Sequence, residues 1–503
     1  MTPSPAPGAA RRTAITYDAD GMVTSFGAFT WTRGGPQGVT SRIADSKLTT
    51  TFVHDSLGRI QGRTDTVASR PLYALQLTYD AVGRIVQKVE SVAGTAHTFT
   101  YAYDADSQLE QVSKDSAVIE QYAYDLNGNR IGRASGASAV EVATYDGLDR
   151  LQQRGTTNYT FDADGFLIWR GNESFTYSGH GELLRYASGS TTVTYGYDGL
   201  GRRTSRTTSA GTEQYLYGNP SNPFQITHSR NPSNVMTAFF YDEQGRLFAL
   251  ERGGTRYYVG ADALGTPRVV SSATGAVVKT LDYDAFGTLL VDSAPGFGLP
   301  IGFAGGLQDP DTGLVRFGLR DYEPASGRWT ARDPLLFDSA ETNLYLYVNN
   351  NPVCLRDPMG LMSLSVSAFM GLGVGASVAL TQGGLSVCVE AGVGLGESLQ
   401  YKPFGGLAES GVALKATAKV ATGGFGAELK GELALSQCGE VSRKFKGGLS
   451  AGPFTGSMDL GTGEPGLKHT DKTGDAGNIK HNVAAGVSAQ VKASVHACKQ
   501  MRF

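Results

Sequence analysis

Arg320, Asp333 and Asp357 are of residue types that could do acid–base chemistry if the fold brought them together. Arg320 opens the segment RDYEPASGRW, Asp333 follows 13 residues later within RDP, and Asp357 lies 24 residues beyond that within RDPMGL. Two carboxylates brought within a few Å cannot both ionise easily, so they share a proton. One can then polarise a carbonyl as an acid while the other draws a proton from water. An arginine beside them can hold one carboxylate ionised and oriented, best through a bidentate contact. The plainer alternative is that each Asp-Pro pair forms a turn and nothing more. A coupled pair titrates as a unit, so spacing does not say which aspartate is the acid and which the base.

Other chemistry is poorly provided for. There is no HExxH and no Walker A sequence. The four cysteines, Cys354, Cys388, Cys438 and Cys498, form no CxxC pair, so zinc is unsupported and no metal or cofactor is expected. Three of them fall after Met362, where one disulfide could form in an oxidising compartment and buried thiols are the alternative. His469, Asp471, Asp475 and His481 come together in HTDKTGDAGNIKH, which has the residue types of a nuclease or metal site but first suggests an exposed loop.

The composition changes abruptly just past Asp357. Up to Leu361 the basic residues are 27 Arg and 4 Lys; from Met362 onward they are 2 Arg and 11 Lys. All three Trp and 22 of 23 Tyr precede Met362, leaving Tyr401 alone beyond it. Two regimes meeting at one residue argue for two separately evolved modules. Overall net charge is -3; the first part carries 31 basic and 37 acidic residues (-6) and the second 13 and 10 (+3). Neither balance calls for nucleic acid or an anionic membrane. The opening MTPSPAPGAARR lacks the apolar run of a secretory signal and suggests a disordered leader over residues 1–14.

The elements that must position the carboxylates are repeats. An aromatic–Asp pair, a Gly-containing turn, then Arg and an apolar residue recur through the first three hundred residues. Instances are Tyr17-Asp18, His54-Asp55, Tyr79-Asp80, Tyr103-Asp104, Tyr124-Asp125, Tyr145-Asp146, Phe161-Asp162, Tyr197-Asp198, Tyr241-Asp242 and Tyr283-Asp284. Flanks rich in Thr, Tyr and Val suit strands, and the Asp with Gly or Asn supplies the turn. Each unit is therefore a predicted β-hairpin, and stacked hairpins predict an all-β solenoid or curled sheet.

This pattern resembles the YD repeats of RHS proteins, insecticidal toxin C proteins and the more distant teneurins, over roughly residues 15 to 361. The resemblance implies a YD-repeat β-shell over 15–255, an RHS-associated core over 256–361, and a variable C-terminal effector over 362–503. In the family, the positions of Arg320, Asp333 and Asp357 form an aspartic-protease-like site that cuts after the Leu of DPxGL, here the Leu361–Met362 bond. A tethered scissile bond gives a very high effective concentration, sufficient for a single turnover in cis. Two departures stand out. Ala261 occupies the position where the family has a His before Asp-x-Leu-Gly-Thr-Pro-Arg, and Pro334-Leu335-Leu336 follows Asp333 where the family has Pro-x-Gly, a change expected to alter the turn and slow the cut. Asp311-Thr312-Gly313 looks like the DTG of pepsin-like proteases, but with no second DTG or DSG it is expected to be a turn. The Asp-x-Asp-Gly runs at Asp18 and Asp162 resemble calcium loops, lack the downstream acidic ligand, and are likewise expected to be turns.

After Met362 the pattern changes to strict alternation. Leu364, Val366, Ala368, Met370, Leu372, Val374, Ala376, Val378 and Leu380 are apolar at every second position, and the same period returns over 385–395, 412–420, 429–435 and 483–497. Period two predicts a small antiparallel meander or barrel. A membrane-active pore former and a soluble β-domain both fit; a helix over 364–380 with its Gly371-x-x-x-Gly375 pair is a third, weaker reading.

The shell is expected to need help. If all 361 residues before the boundary were strand, they would cover roughly 5,700 Å² and leave an interior radius of roughly 16 Å. A folded 142-residue module needs roughly 14–16 Å, and realistic strand content shrinks the cavity further. The module is therefore expected to lie outside, to be incompletely folded, or to be enclosed with help from upstream sequence or a shell-completing partner. The further possible partners are a delivery machine, a cognate immunity protein for 362–503 and a membrane target, with no nucleic acid indicated. The family implies a secreted or delivered toxin; the alternative is a non-cleaving YD-repeat surface or adhesion scaffold.

Overall fold

In this computed structural model, side chains are described for residues 14–34, 38–220, 222–336 and 342–361. Beyond these, only the backbone of the strands between Ser363 and Met501 is described. The chain is all-β and divides into two compact units, Met1–Met362 and Ser363–Phe503.

The repeat explains the first unit. In YDAVGRI, the Asp80 N–H donates to the Arg84 carbonyl (2.9 Å) and the Gly83 N–H to the Asp80 carbonyl (3.1 Å). Asp80 Oδ1 accepts the N–H groups of Val82 (3.1 Å) and Arg84 (2.8 Å), and Oδ2 accepts Arg84 Nε (2.7 Å). Gly83 sits at φ 92°, which favours glycine. One aspartate thus satisfies the turn's backbone and fixes its arginine. The same Asp–Arg bond recurs at Asp55, Asp146, Asp198 and Asp242, at 2.6–2.7 Å.

The tyrosine links one unit to the unit before it. Tyr79 Oη donates to the carbonyl of Ile60 (2.6 Å), Tyr103 to Ile85 (2.7 Å), Tyr145 to Arg130 (2.8 Å) and Tyr217 to Arg203 (2.8 Å). In each case the acceptor immediately follows the last residue of the preceding turn. The preceding arginine then lies over the tyrosine ring, as Arg59 does over Tyr79 (4.1 Å) and Arg84 over Tyr103 (4.8 Å). A β-bulge falls just before the aromatic position in unit after unit, including Val53/His54, Thr78/Tyr79, Thr144/Tyr145 and Phe240/Tyr241. Repeated bulges add twist, which curls the sheet.

The result is a 28-stranded antiparallel sheet from Ile15–Tyr17 to Leu289–Asp292, each strand paired with its sequence neighbours. It curls until late strands meet early ones. Arg63 Nη1 donates to the Ala261 carbonyl (2.8 Å), and Tyr258 Oη to Asp45 (2.8 Å). A core of Phe29, Ile43, Leu48, Leu75 and Leu109 packs with Phe248, Tyr258 and Val269 between these walls. Ala261 turns out to occupy the aromatic position of a further unit: Asp262 accepts the N–H groups of Leu264 and Thr266 (both 2.9 Å), as a YD aspartate does.

The sheet continues past residue 255. The core segment then folds a separate four-stranded sheet from Leu307–Gln308, Val315–Phe317, Arg320–Glu323 and Arg328–Trp329. Buried polar bonds stitch this segment to the curled sheet. Arg203 reaches Asp321 (2.8 Å), Arg170 reaches Glu323 (2.9 Å), and Arg328 donates to Asn129 Oδ1 (2.8 Å).

Among the described residues the second unit carries the predicted alternation as strands, while positions 483–492 of the last predicted run fall outside them. Ser363–Thr381 and Gly384–Lys402 form a hairpin of two 19-residue strands, joined by Ala493–Met501. A four-stranded antiparallel sheet spans Ala413–Thr422 to Phe454–Asp459. Residues 364–380 are thus strand, which removes the helical reading. Register sets Cys388 opposite Cys498. His469 lies in the strand Lys468–Thr470, while Cys438, Asp471, Asp475, His481 and Met362 fall outside the described residues.

Candidate active site

Arg320, Asp333 and Asp357 come together in the core segment, on a hairpin that glycine makes possible. Phe317 pairs with Arg320 across a two-residue loop, Gly318-Leu319. Gly318 has φ 48°, and a Cβ there would stand 2.3 Å from the Met359 carbonyl oxygen. That absence of side chain lets DPMGL lie against the hairpin, where Leu319 N–H donates to Met359 O (3.0 Å). Gly360 meets the same demand from the other side, with φ 64° and Phe317 O only 2.6 Å from its ideal Cβ.

The Arg320 guanidinium is buried and its nitrogens are divided. Nη2 lies 2.8 Å from Asp333 Oδ2 and 3.7 Å from Asp357 Oδ2, so both carboxylates share one nitrogen. Nη1 donates to the Leu344 carbonyl (3.3 Å) and Nε to the Gly360 carbonyl. The expected bidentate grip on one aspartate is therefore not made: two of the three nitrogens are spent positioning backbone. The guanidinium lies over the Trp329 ring at 4.2 Å. Burial pushes the Arg320 pKa below its ordinary value, and the charges of Asp333 and Asp357 oppose that shift.

Each carboxylate is aimed by local backbone. Asp333 N–H donates to Leu344 O (2.9 Å), and its Oδ1 accepts the Leu335 N–H (2.9 Å). Leu336 N–H closes the turn on Asp333 O (3.0 Å), with Leu336 itself at φ 50°. The turn thus keeps a left-handed residue where the family has Gly, and leucine adopts it. Asp357 Oδ1 accepts the N–H groups of Met359 and Leu361 (both 3.2 Å), and Leu361 is buried. Together these place two buried carboxylates and a guanidinium beside the residue that carries the carbonyl of the Leu361–Met362 bond.

The other candidates lie elsewhere. Asp311-Thr312-Gly313 is a turn whose N–H groups at Asp311 (3.0 Å) and Thr312 (3.3 Å) cap Asp309 Oδ1, with Asp311 paired to Arg206. Asp18 Oδ1 accepts the N–H groups of Asp20 and Met22, and Asp162 Oδ1 that of Phe166, in ordinary repeat turns. Among the described residues no cluster of His, Cys, Asp or Glu could hold a metal ion. Sequence reasoning missed Gly318, Trp329 and the Leu344 carbonyl. A glycine two residues before Arg320 was a visible hint; the others are set by tertiary packing.

Fold and site define an RHS/YD-repeat shell protein whose core segment gathers an Arg–Asp–Asp cluster at its own end. The teneurin YD-shell family model matches residues 9–353, and the chain belongs to that family. Human Teneurin-4 is 39% identical over 325 residues, 62% of this chain and 12% of the relative. Mouse Teneurin-3 is 39% identical over 348 residues, 67% of this chain and 13% of the relative. The chain therefore spans about an eighth of these relatives' length. Among solved structures, the Photorhabdus luminescens Tc holotoxin pore aligns with a TM-score of 0.59 at 19% identity, over 69% of this chain and 20% of that one. A TcdB2–TccC3–TEV crystal structure aligns at 0.57, also with 19% identity and 69% and 20% coverage. These two share the shell fold.

Proposed function

We propose that this protein is a self-cleaving YD-shell protein that hydrolyses its own Leu361–Met362 bond once, freeing residues 362–503 as an effector that acts outside the producing cell. The observation that carries this reading is the Asp357 carboxylate, which accepts the Leu361 N–H at 3.2 Å while sharing Arg320 with Asp333. One carboxyl begins protonated and donates to the Leu361 carbonyl oxygen; the other removes a proton from water as its oxygen attacks the carbonyl carbon. Collapse breaks the C–N bond and returns a proton to the Met362 nitrogen, leaving a carboxyl on Leu361 and an amine on Met362. Arg320 steadies the negative charge on the pair throughout.

The test is the intact mass of the full-length protein beside Asp333→Asn and Asp357→Asn. Fragments ending at Leu361 and starting at Met362, in the wild type alone, are expected. An uncut wild type sinks the reading. It would favour the second one, a non-cleaving scaffold in which the three residues brace the core, supported by 39% identity to teneurins. A shell-completing partner, a delivery machine and an immunity protein accompany the first reading. Dye release from liposomes by the freed fragment tests whether the effector attacks membranes; intact vesicles across several lipid compositions would remove that option.

A further inference from the structure

A cavity of about 320 Å³ lies within the first unit, and none of its lining residues belongs to the Arg–Asp–Asp cluster. Its size is that of a small-molecule site. Three adjacent strands form one wall: Ile85–Val92, Thr95–Tyr103 and Leu109–Lys114. Register sets Lys88 and Lys114 opposite Phe99 from its two sides, with their Nζ atoms 4.5 and 5.5 Å from the ring centre. Leu75, Leu77, Ile85 and Val112 give the cavity an apolar surface, and exposed Leu290 brings it to the outside. Four cations line it, and three have carboxylate partners. Lys88 pairs with Glu90 (3.1 Å), Arg133 with Asp284 (2.8 Å) and Arg268 with Asp282 (2.6 Å). Lys114 is half-buried and enters no ion pair among the described residues. Its neighbour Asp115 bonds instead to His97 (2.6 Å) and to the Thr98 N–H (2.8 Å). The remaining acids are engaged: Asp262 caps its turn, and Glu120 accepts the Tyr122 hydroxyl and the Ala285 N–H.

We propose that this cavity binds an amphipathic monoanion of the fatty-acid class, its carboxylate on Lys114 beside Phe99 and its alkyl chain along Leu75, Leu77, Ile85 and Val112. The charge follows from the pairing. One ammonium lacks a carboxylate, and one carboxylate supplies what it lacks. A doubly charged phosphate head suits the site less, because Asp262, Asp282, Asp284 and Glu120 stand in the same walls and would repel the second charge. The tail follows from the apolar surface, which gains by covering hydrocarbon. A free lysine on the outer surface would be solvated and need no partner. Lys114 differs because it shares a cavity and an aromatic ring with a second ammonium. Binding there is independent of whether the Leu361–Met362 bond is cut.

The experiment is titration calorimetry of the full-length protein with hexanoate, octanoate, decanoate and 1-octanol. One carboxylate per chain is expected to bind, tightening about threefold with each added CH₂ until the cavity is filled. Octanoate should bind about tenfold more tightly than 1-octanol, which has the same tail and no charge. Lys114→Gln should weaken octanoate about tenfold and leave 1-octanol unchanged, whereas Lys114→Arg and the exposed Lys47→Gln should bind octanoate nearly as wild type does. No binding of any of the three carboxylates overturns the proposal. Equal affinity for octanoate and 1-octanol overturns it too, a comparison that needs no variant to fold. Undiminished octanoate binding by a folded Lys114→Gln protein would place the ligand elsewhere and likewise overturn it.

Discussion

In five repeats between Asp55 and Arg246 the aspartate finds an arginine four residues on, whereas the core segment pairs Asp321 with Arg203, Glu323 with Arg170 and Asp333 with Arg320. Most of the local pairs are part-exposed: the Asp80 and Arg84 side chains keep 19% and 26% of their surface, against 7% and 3% for Asp333 and Arg320. A part-exposed pair costs little to make and is worth little beyond its turn. A buried pair is costly to break, because the partner left behind is an uncompensated charge. The same residue types therefore set hairpin shape in one region and hold the tertiary fold and the site in the other.

Removing Arg320 should show this contrast most strongly. Arg320→Ala leaves Asp333 and Asp357 buried with no shared cation and removes a donor from the Leu344 and Gly360 carbonyls. A loss of about 3–5 kcal/mol is expected, together with loss of any cut. Urea unfolding of the uncut protein measures it. Arg320→Lys should recover only part, since an ammonium has no planar fork to divide among three directions. A change near zero would place Arg320 with the local pairs and end the contrast.

A second buried acid sharpens the comparison by pH. Glu120 and Asp284 both line a cavity of about 320 Å³, where Arg133 pairs with Asp284 (2.8 Å) and Glu120 accepts the Ala285 N–H (3.2 Å). Burial, then the Asp284 charge, raise the Glu120 carboxyl from 4.5 to about 7. Its folded pKa lies above its unfolded one, so the folded state holds the extra proton between those values and stability falls as pH rises through them. That shift corresponds to about 3 kcal/mol lost above pH 7. Glu120→Gln should flatten this part of the profile, gaining on wild type at pH 8 relative to pH 5 by thermal melting. Parallel profiles would refute it.

How much could be read in advance follows the same division. The hairpins were legible because Asp, Gly and Arg act within five residues. The unit at Asp262 shared that spacing and was obscured by Ala261 in the aromatic position. The bond from each tyrosine to the unit before it was not legible, since it depends on cross-strand register and on a bulge that no residue type announces. At the site, resemblance supplied Arg320, Asp333 and Asp357. The division of the guanidinium among Asp333, Asp357, Leu344 O and Gly360 O depends on backbone brought together from four places in the chain.

The inter-unit bond itself predicts a modest effect. Tyr79→Phe removes the donor to Ile60 O but keeps the ring under Arg59, so about 1 kcal/mol should be lost, read as a shift in the urea midpoint of the first unit. The loss should stay well below that of Arg320→Ala even though the bond is short (2.6 Å), because one neutral hydrogen bond is replaced and no charge is stranded.

The smallest effect is expected at the turn that carries Asp333. Leu336 adopts φ 50° with its side chain 41% exposed, a conformation that costs a residue with a Cβ about 1–2 kcal/mol. Asparagine tolerates that region better and keeps the N–H that closes the turn on Asp333 O. Leu336→Asn should therefore raise stability by about 0.5–1 kcal/mol, a rise of a few degrees or less in melting temperature, with the Arg320–Asp333 contact unchanged. The cut, if limited by how firmly this turn presents Asp333, should run at least as fast as in wild type. A lower melting temperature would mean that the leucine side chain contributes more through packing than its backbone loses, and would place this turn among the tertiary devices of the core segment and not with the self-contained turns of the repeats.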